Sequence, residues 1–344
     1  MKNAMLLPLV LTALFANALG AQDRADSSSH TVQFITVESD VKLEVLDWGG
    51  TGRPLVFLAG MGNDAHNYNR FAPQFTTKYH VYGITRRGFG ASSKPIPTNT
   101  NYTADRLGDD VLAVMDALRL ERPVLVGHSF AGEELSSIGS RYPERVAGLI
   151  YLEAAYGFAY YDPAHPQMEL EMNALKRRIE RLEAGGVDEK SYLLELEARV
   201  SHFEKTLHDS NLGVASMPPI PPRPPIQAAL NFGVQEYTKI PVPILAIYAC
   251  PHNWDRAFQY DPAMKAKRLA ADIISCTAQA DAFAAGVPSA HVVRIPNADH
   301  YVFNSNEAEV VREMNVFLSK LDASTTAQHS SESAGPSSPA AHPQ

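Results

Sequence analysis

Runs of valine, isoleucine and leucine that do not alternate with polar residues are the strongest constraint in this chain. PLVFLAG (54–60), YHVYGIT (79–85), PVLVGHS (123–129), VAGLIYLEA (146–154), PVPILAIYA (241–249) and AHVVRIP (290–296) set apolar residues at neighbouring positions. A strand written that way is buried on both faces, as in a parallel sheet covered by helices on each side. Two earlier runs, VQFITV (32–37) and VKLEVLDW (41–48), read as an opening hairpin. Helical periods fall between the runs. Thr103 is placed to cap a helix reaching Arg119, with Leu107, Val111, Val114, Met115 and Leu118 on one face. Glu133 to Tyr142 and Glu307 to Leu321 repeat the pattern. Strands alternating with helices predict an α/β chain with a mostly parallel eight-stranded sheet, its ligands held beyond the carboxyl ends of the strands.

Residues 156–240 break this rhythm. Two amphipathic helical stretches lead into the Pro-rich MPPIPPRPPIQAAL, and neither stretch carries enough apolar residues for a core of its own. They read as a helical lid inserted into a core formed by residues 31–155 and 241–322. Tyr156, Phe158, Tyr160, Tyr161, Met168, Met172 and Phe203 could line a pocket beneath it or pack it onto the sheet. Residues 1–20 combine Lys2, a short apolar run and a small-x-small end at Ala18-Leu19-Gly20, the pattern of a signal peptide cleaved near Gly20 and Ala21. That predicts export to the periplasm or the exterior, with no stable membrane span after cleavage. Residues 21–30 are a polar linker, and the Ser/Pro/Ala-rich 323–344 reads as a disordered tail. The net charge of -8 and the lack of a basic run argue against a nucleic-acid partner. Cys250 and Cys276 are the only cysteines, and their pairing is left open, as is the oligomeric state.

The chemistry gathers around GHSFAG (127–132). Ser129 follows four apolar strand residues and precedes a helix, the setting of a nucleophile on a sharp strand-to-helix turn. Such a turn wants small residues two before and two after the serine. Gly127 satisfies the first, and Ala131 stands where a second glycine is expected, with Gly132 one residue later. His300, after the last strand, is placed to act as general base. The tetrahedral intermediate of acyl transfer needs donors for its oxyanion, and the backbone N–H groups of Met61 and Phe130 are the candidates.

LAGMG (58–62), TRRGFGASS (85–93), GHSFAG and NADHYVF (297–303) together resemble the α/β-hydrolase fold proteins of the esterase, lipase and pimeloyl-ester-carboxylesterase-like group. The resemblance runs over about residues 32–320. Ala59 replaces the histidine usual in the first of these turns, and the Arg87-Gly88-x-Gly90-x-Ser92 turn is taken as structural. The resemblance implies a Ser-His-acid triad acting through an acyl-enzyme on a carboxylic ester, lactone or thioester, with no metal or organic cofactor. The acid is left open. The usual position falls on Asn253, so the candidates are Glu153, at the end of the strand after the nucleophile helix, and Asp255, with Glu153 favoured. His252 is read as a loop residue. Alternatives are a non-catalytic protein binding a small ligand on the same fold, a carbon–carbon bond hydrolase, or a cofactor-free haloperoxidase.

Overall fold

The structure, a computed structural model, describes residues 29–98, 100–162, 168–183, 189–210 and 224–333. The expected signal segment and most of the expected linker lie outside these residues. Eight strands form one sheet in the order β1-β2-β4-β3-β5-β6-β7-β8. The hairpin of β1 (Thr31–Glu38) and β2 (Val41–Gly49) is antiparallel, and β2 also runs antiparallel to β4. The strands β3 (Pro54–Leu58), β4 (His80–Ile84), β5 (Val124–His128), β6 (Gly148–Leu152), β7 (Ile244–Ala249) and β8 (Ala290–Ile295) are mutually parallel.

Every residue of β5 and β6 is buried, because the two faces of the sheet carry separate apolar cores. On one face Leu125, Leu149 and Tyr151 meet Val111 and Val114 of α1 (Ala104–Ala117) and Leu135 and Ile138 of α2 (Gly132–Arg141). On the other, Val124, Val126, Ile150 and Leu152 meet Tyr68, Phe71 and Phe75, together with Met314 and Leu318 of a C-terminal helix. Thr103 caps α1 as its type predicts, its hydroxyl accepting from the Arg106 N–H.

Between β6 and β7 the chain forms α3 (Met168–Glu183), α4 (Glu189–Ser210) and α5 (Pro225–Phe232). Asn173 and Arg177 of α3 donate to the carbonyls of Asn231 and Phe232, tying α3 to the end of α5. A 25-residue helix, α6 (Pro262–Gly286), stands where the sequence reading placed none. A short α7 (Val302–Ser305) follows β8, and α8 (Glu307–Ser333) runs past the Ala323 boundary into the expected tail. Residues 334–344 lie outside the described set. Among the described residues no helix is long and apolar enough to cross a membrane.

Candidate active site

Ser129 stands immediately after β5 with φ +52°, in the left-handed region that a non-glycine residue rarely occupies. Such a conformation costs about 1 to 3 kcal/mol and persists only where the surroundings enforce it. Here the enforcement comes from close crossing of strand and helix. A side chain at Gly127 would stand 2.9 Å from Leu135 and 3.1 Å from the Ala131 methyl. A Cβ at Gly132 would meet the Ala154 carbonyl oxygen at 2.0 Å. The methyl of Ala131 is fully buried, so the absolute need for glycine falls one residue later than the motif expects.

The loop after β8 brings His300 to this turn, with its Nε2 3.0 Å from Ser129 Oγ. His128, which sequence reasoning gave no role, secures that loop. Burial holds its pKa down near about 3, so the ring is neutral at ordinary pH, and its Nε2 donates to the His300 carbonyl at 2.9 Å.

Glu153 occupies the equivalent place after β6, also at positive φ (+52°). Its carboxylate is 0% exposed. Oε2 lies 3.2 Å from His300 Nδ1 and accepts from the Tyr156 hydroxyl at 2.5 Å, while Oε1 accepts from the Ala249 N–H at 2.6 Å. Burial pushes this carboxyl up, but the charge of His252 and the hydrogen bonds from His252 and His300 outweigh it and hold the group well below the usual carboxylate range. Of the two candidate acids, the fold brings only Glu153 to His300. The Asp255 side chain is 70% exposed and pairs with Lys265. Asn253, at the usual acid position, binds backbone instead, its N–H donating to the Ala298 carbonyl.

His252 is not the plain loop residue that sequence reading made of it. It is buried, with Nε2 2.8 Å from Glu153 Oε2 and Nδ1 2.9 Å from Asp272 Oδ1 on α6. Asp272 was missed because α6 itself was missed. Tyr156 was read as a pocket wall or as packing between lid and sheet, and its hydroxyl donates to the Glu153 carboxylate.

The turn after β3 lies against the nucleophile. A Cβ on Gly60 would stand 2.9 Å from His128 Nδ1 and 3.2 Å from Ser129 Cβ. Met61 and Phe130, the two candidate oxyanion residues, are both buried and belong to one apolar cluster with Leu230 and Val234, against which Phe158 packs. Arg86 joins the turn after β3 to Phe130: its Nη2 donates to the Ala59 carbonyl at 2.9 Å, and its guanidinium stands 5.5 Å from the Phe130 ring centroid. Glu134 balances its charge. Arg87 is spent on Asp110, through two bonds of 2.6 Å, and has no part in the centre. The side chains of Met168 and Phe203 lie outside the described residues, and Met172 is exposed. A polar cavity of about 490 Å³ between α1, α2, α3 and α4 includes none of the candidate residues in its lining.

The facing atoms of Glu153, His252 and His300 lie within 4.8 Å of one another, a spacing a divalent cation could bridge. Each already has a hydrogen-bond partner inside the cluster, so no ligand set is assigned to them.

Comparison with known proteins agrees with this architecture. A family profile described as the alpha/beta hydrolase fold matches residues 53–180, a span holding Ser129 and Glu153 but not His252, Asp272 or His300. A fluoroacetate dehalogenase from a Burkholderia species is 34% identical over 107 residues, 30% of this chain and 35% of that protein. The 3-oxoadipate enol-lactonase 2 of Acinetobacter baylyi is 32% identical over 117 residues, 34% of this chain and 43% of that protein. The chain thus spans less than half the length of these two curated relatives. Among solved structures, a thermophilic esterase from Thermogutta terrifontis superposes with a TM-score of 0.53 at 20% identity, over 85% of this chain and 99% of that one. The sheet order, the strained turn at Ser129 and these matches agree, and the chain has the α/β-hydrolase fold.

Proposed function

We propose that this chain is an exported serine hydrolase that cleaves a carboxylic ester, lactone or thioester through an acyl-enzyme on Ser129. The observation that carries the reading is the unbroken line from Ser129 Oγ to His300 Nε2 at 3.0 Å and from His300 Nδ1 to Glu153 Oε2 at 3.2 Å. In the proposed reaction the Ser129 hydroxyl gives its proton to His300 Nε2 as Oγ attacks the carbonyl carbon. The imidazolium that forms is stabilised by Glu153 and returns the proton to the leaving oxygen or sulfur. The backbone N–H groups of Met61 and Phe130 receive the developing oxyanion. Water then repeats the sequence on the acyl-enzyme, with His300 as base. No metal or organic cofactor enters any step.

The apolar surround of Met61, Phe130 and Phe158 favours an acyl group of modest polarity, with residues 156–240 acting as the lid over it. Export is supported by the sequence pattern of residues 1–20 and by the Cys250–Cys276 disulfide, a bond that persists in oxidising compartments. A hydrolysis screen over p-nitrophenyl esters of graded chain length, with lactones and thioesters alongside, tests the reading. Turnover of at least one class, lost in Ser129→Ala, is the expected outcome. Turnover that survives this substitution would remove Ser129 from the chemistry.

A further inference from the structure

The contacts behind Glu153 continue beyond the atom that faces the base. Oε2 lies 3.2 Å from His300 Nδ1 and 2.8 Å from His252 Nε2, so two imidazoles share one carboxylate oxygen. On its far side His252 Nδ1 lies 2.9 Å from Asp272 Oδ1, and the His252 backbone N–H donates to Asp272 Oδ2 at 2.7 Å. A buried ion pair needed only for stability has no reason to end on the oxygen that faces His300.

We propose that His252 and Asp272 are positioning residues of the same centre, His252 holding the Glu153 oxygen that faces His300 and Asp272 holding His252. The proposal rests on the reading of Ser129, His300 and Glu153 given above, and it adds two residues that lie outside the matched family region. An ionised carboxylate cannot donate, so both ring nitrogens of His252 must carry hydrogen for the two contacts to be hydrogen bonds. His252 is therefore an imidazolium between two carboxylates. Burial works against that charge; the charge of Glu153 and the hydrogen bonds to Asp272 and Glu153 overcome it and raise the pKa to about 10. The ring keeps its second proton through neutral pH and gives it up only near that value.

Charge balance explains why Asp272 is needed. A cation 2.8 Å from Glu153 would by itself cancel the negative field that stabilises a protonated His300. With Asp272 the three groups sum to one negative charge, that of a lone carboxylate, now held from two sides. Other titratable or charged groups facing this cluster are Tyr156, which donates to Glu153, the buried Tyr248, which the Glu153 charge pushes further up, the neutral His128, and Arg268, stacked 4.6 Å from the Trp254 ring that borders His252. The loop and the helix are also joined covalently, since Cys250 precedes His252 by two residues and Cys276 follows Asp272 by one helical turn.

Nitrogen-15 NMR of the full-length chain labelled at histidine reads His252 without substrate. The expected spectrum at about pH 8, well above the ordinary histidine pKa, has one imidazole with both ring protons. That signal disappears in His252→Gln and loses its second proton at lower pH in Asp272→Asn. Absence of any doubly protonated imidazole in the unmodified chain would overturn the proposal. Kinetics supply the second arm. With an ester substrate, His252→Gln is expected to lower kcat on the order of ten- to a hundredfold, the range typical of partners that orient a functional group from behind. KM changes little, and the acidic limb of kcat moves to higher pH, because Glu153 loses the charge that keeps it ionised. Asp272→Asn, the milder change, also lowers kcat but moves the limb to lower pH, because the unbalanced His252 charge disfavours a protonated His300; it stands in if His252→Gln does not fold. A folded variant at each position with unaltered kcat and pH profile overturns the positioning role. If Ser129 fails to take a fluorophosphonate, the hydrolase reading fails instead, and the NMR arm still decides the state of His252.

Discussion

Glu153 illustrates how a single carboxylate can be fully buried and still ionised. Its oxygens accept from the Ala249 N–H, the Tyr156 hydroxyl, His252 and His300, so desolvation is offset by four donors, one of them charged. Replacing it with glutamine keeps the shape but removes the charge and presents an amide to two imidazoles. Glu153→Gln is expected to lower kcat by about a thousand- to ten-thousandfold, the scale of an acid-to-amide change behind a catalytic histidine. Asp255→Asn, at an exposed pair with Lys265, should leave kcat within about twofold, since exposed ion pairs contribute little. Steady-state rates on one ester compare the two; a Glu153→Gln rate near that of the unmodified chain would take Glu153 out of the triad. At this scale the sequence was partly legible. Ser129 and His300 stand in local patterns, GHS after an apolar strand and DH before a helix. Choosing between Glu153 and Asp255 required knowing where the ends of β6 and β7 come to lie, which no local pattern records.

Among the elements, α6 shows why a long helix can go unseen. Its buried stripe is Asp272, Cys276, Ala280 and Phe283, with one large apolar residue among four, so hydrophobic periodicity is weak. The legible signal was at its start, where Asp261 accepts from the Met264 N–H and Pro262 occupies the first turn. Missing α6 meant missing Asp272 and leaving His252 without a partner. The same helix carries one end of the disulfide, which closes a span of 26 residues between Cys250 and Cys276. By loop-closure entropy a bond over that span stabilises the chain by roughly 3 kcal/mol. Urea denaturation of Cys250→Ala/Cys276→Ala is expected to show a loss of that size. An unchanged midpoint would mean that the bond adds nothing to the folded state. The inner strands, by contrast, were legible because burial on both faces writes itself into uninterrupted Val, Ile and Leu; β8 was found by its apolar run but stands at the sheet edge with only Ile295 buried, not covered on both faces as that run predicted.

Taken as a whole, the molecule uses the carboxyl ends of the parallel strands of one mixed sheet to collect groups far apart in sequence. Ser129 leaves β5, Glu153 leaves β6, His252 follows β7 and His300 follows β8, while α6 delivers Asp272 from the side. Two of these positions, Ser129 and Glu153, carry positive φ, so backbone strain falls where side chains must be aimed. These conformations are held by the crossing at Gly132 and Ala154, by the Glu153 N–H bond to the Ile247 carbonyl of β7 and by the hydrogen bonds around the Glu153 carboxylate. The central claim is that this end of the sheet makes Ser129 a nucleophile. A fluorophosphonate probe followed by peptide mass analysis tests it most directly. One adduct per folded chain is expected, on Ser129, absent in Ser129→Ala and formed far more slowly in His300→Ala. A folded chain that takes no adduct, or takes it at another residue, would contradict it.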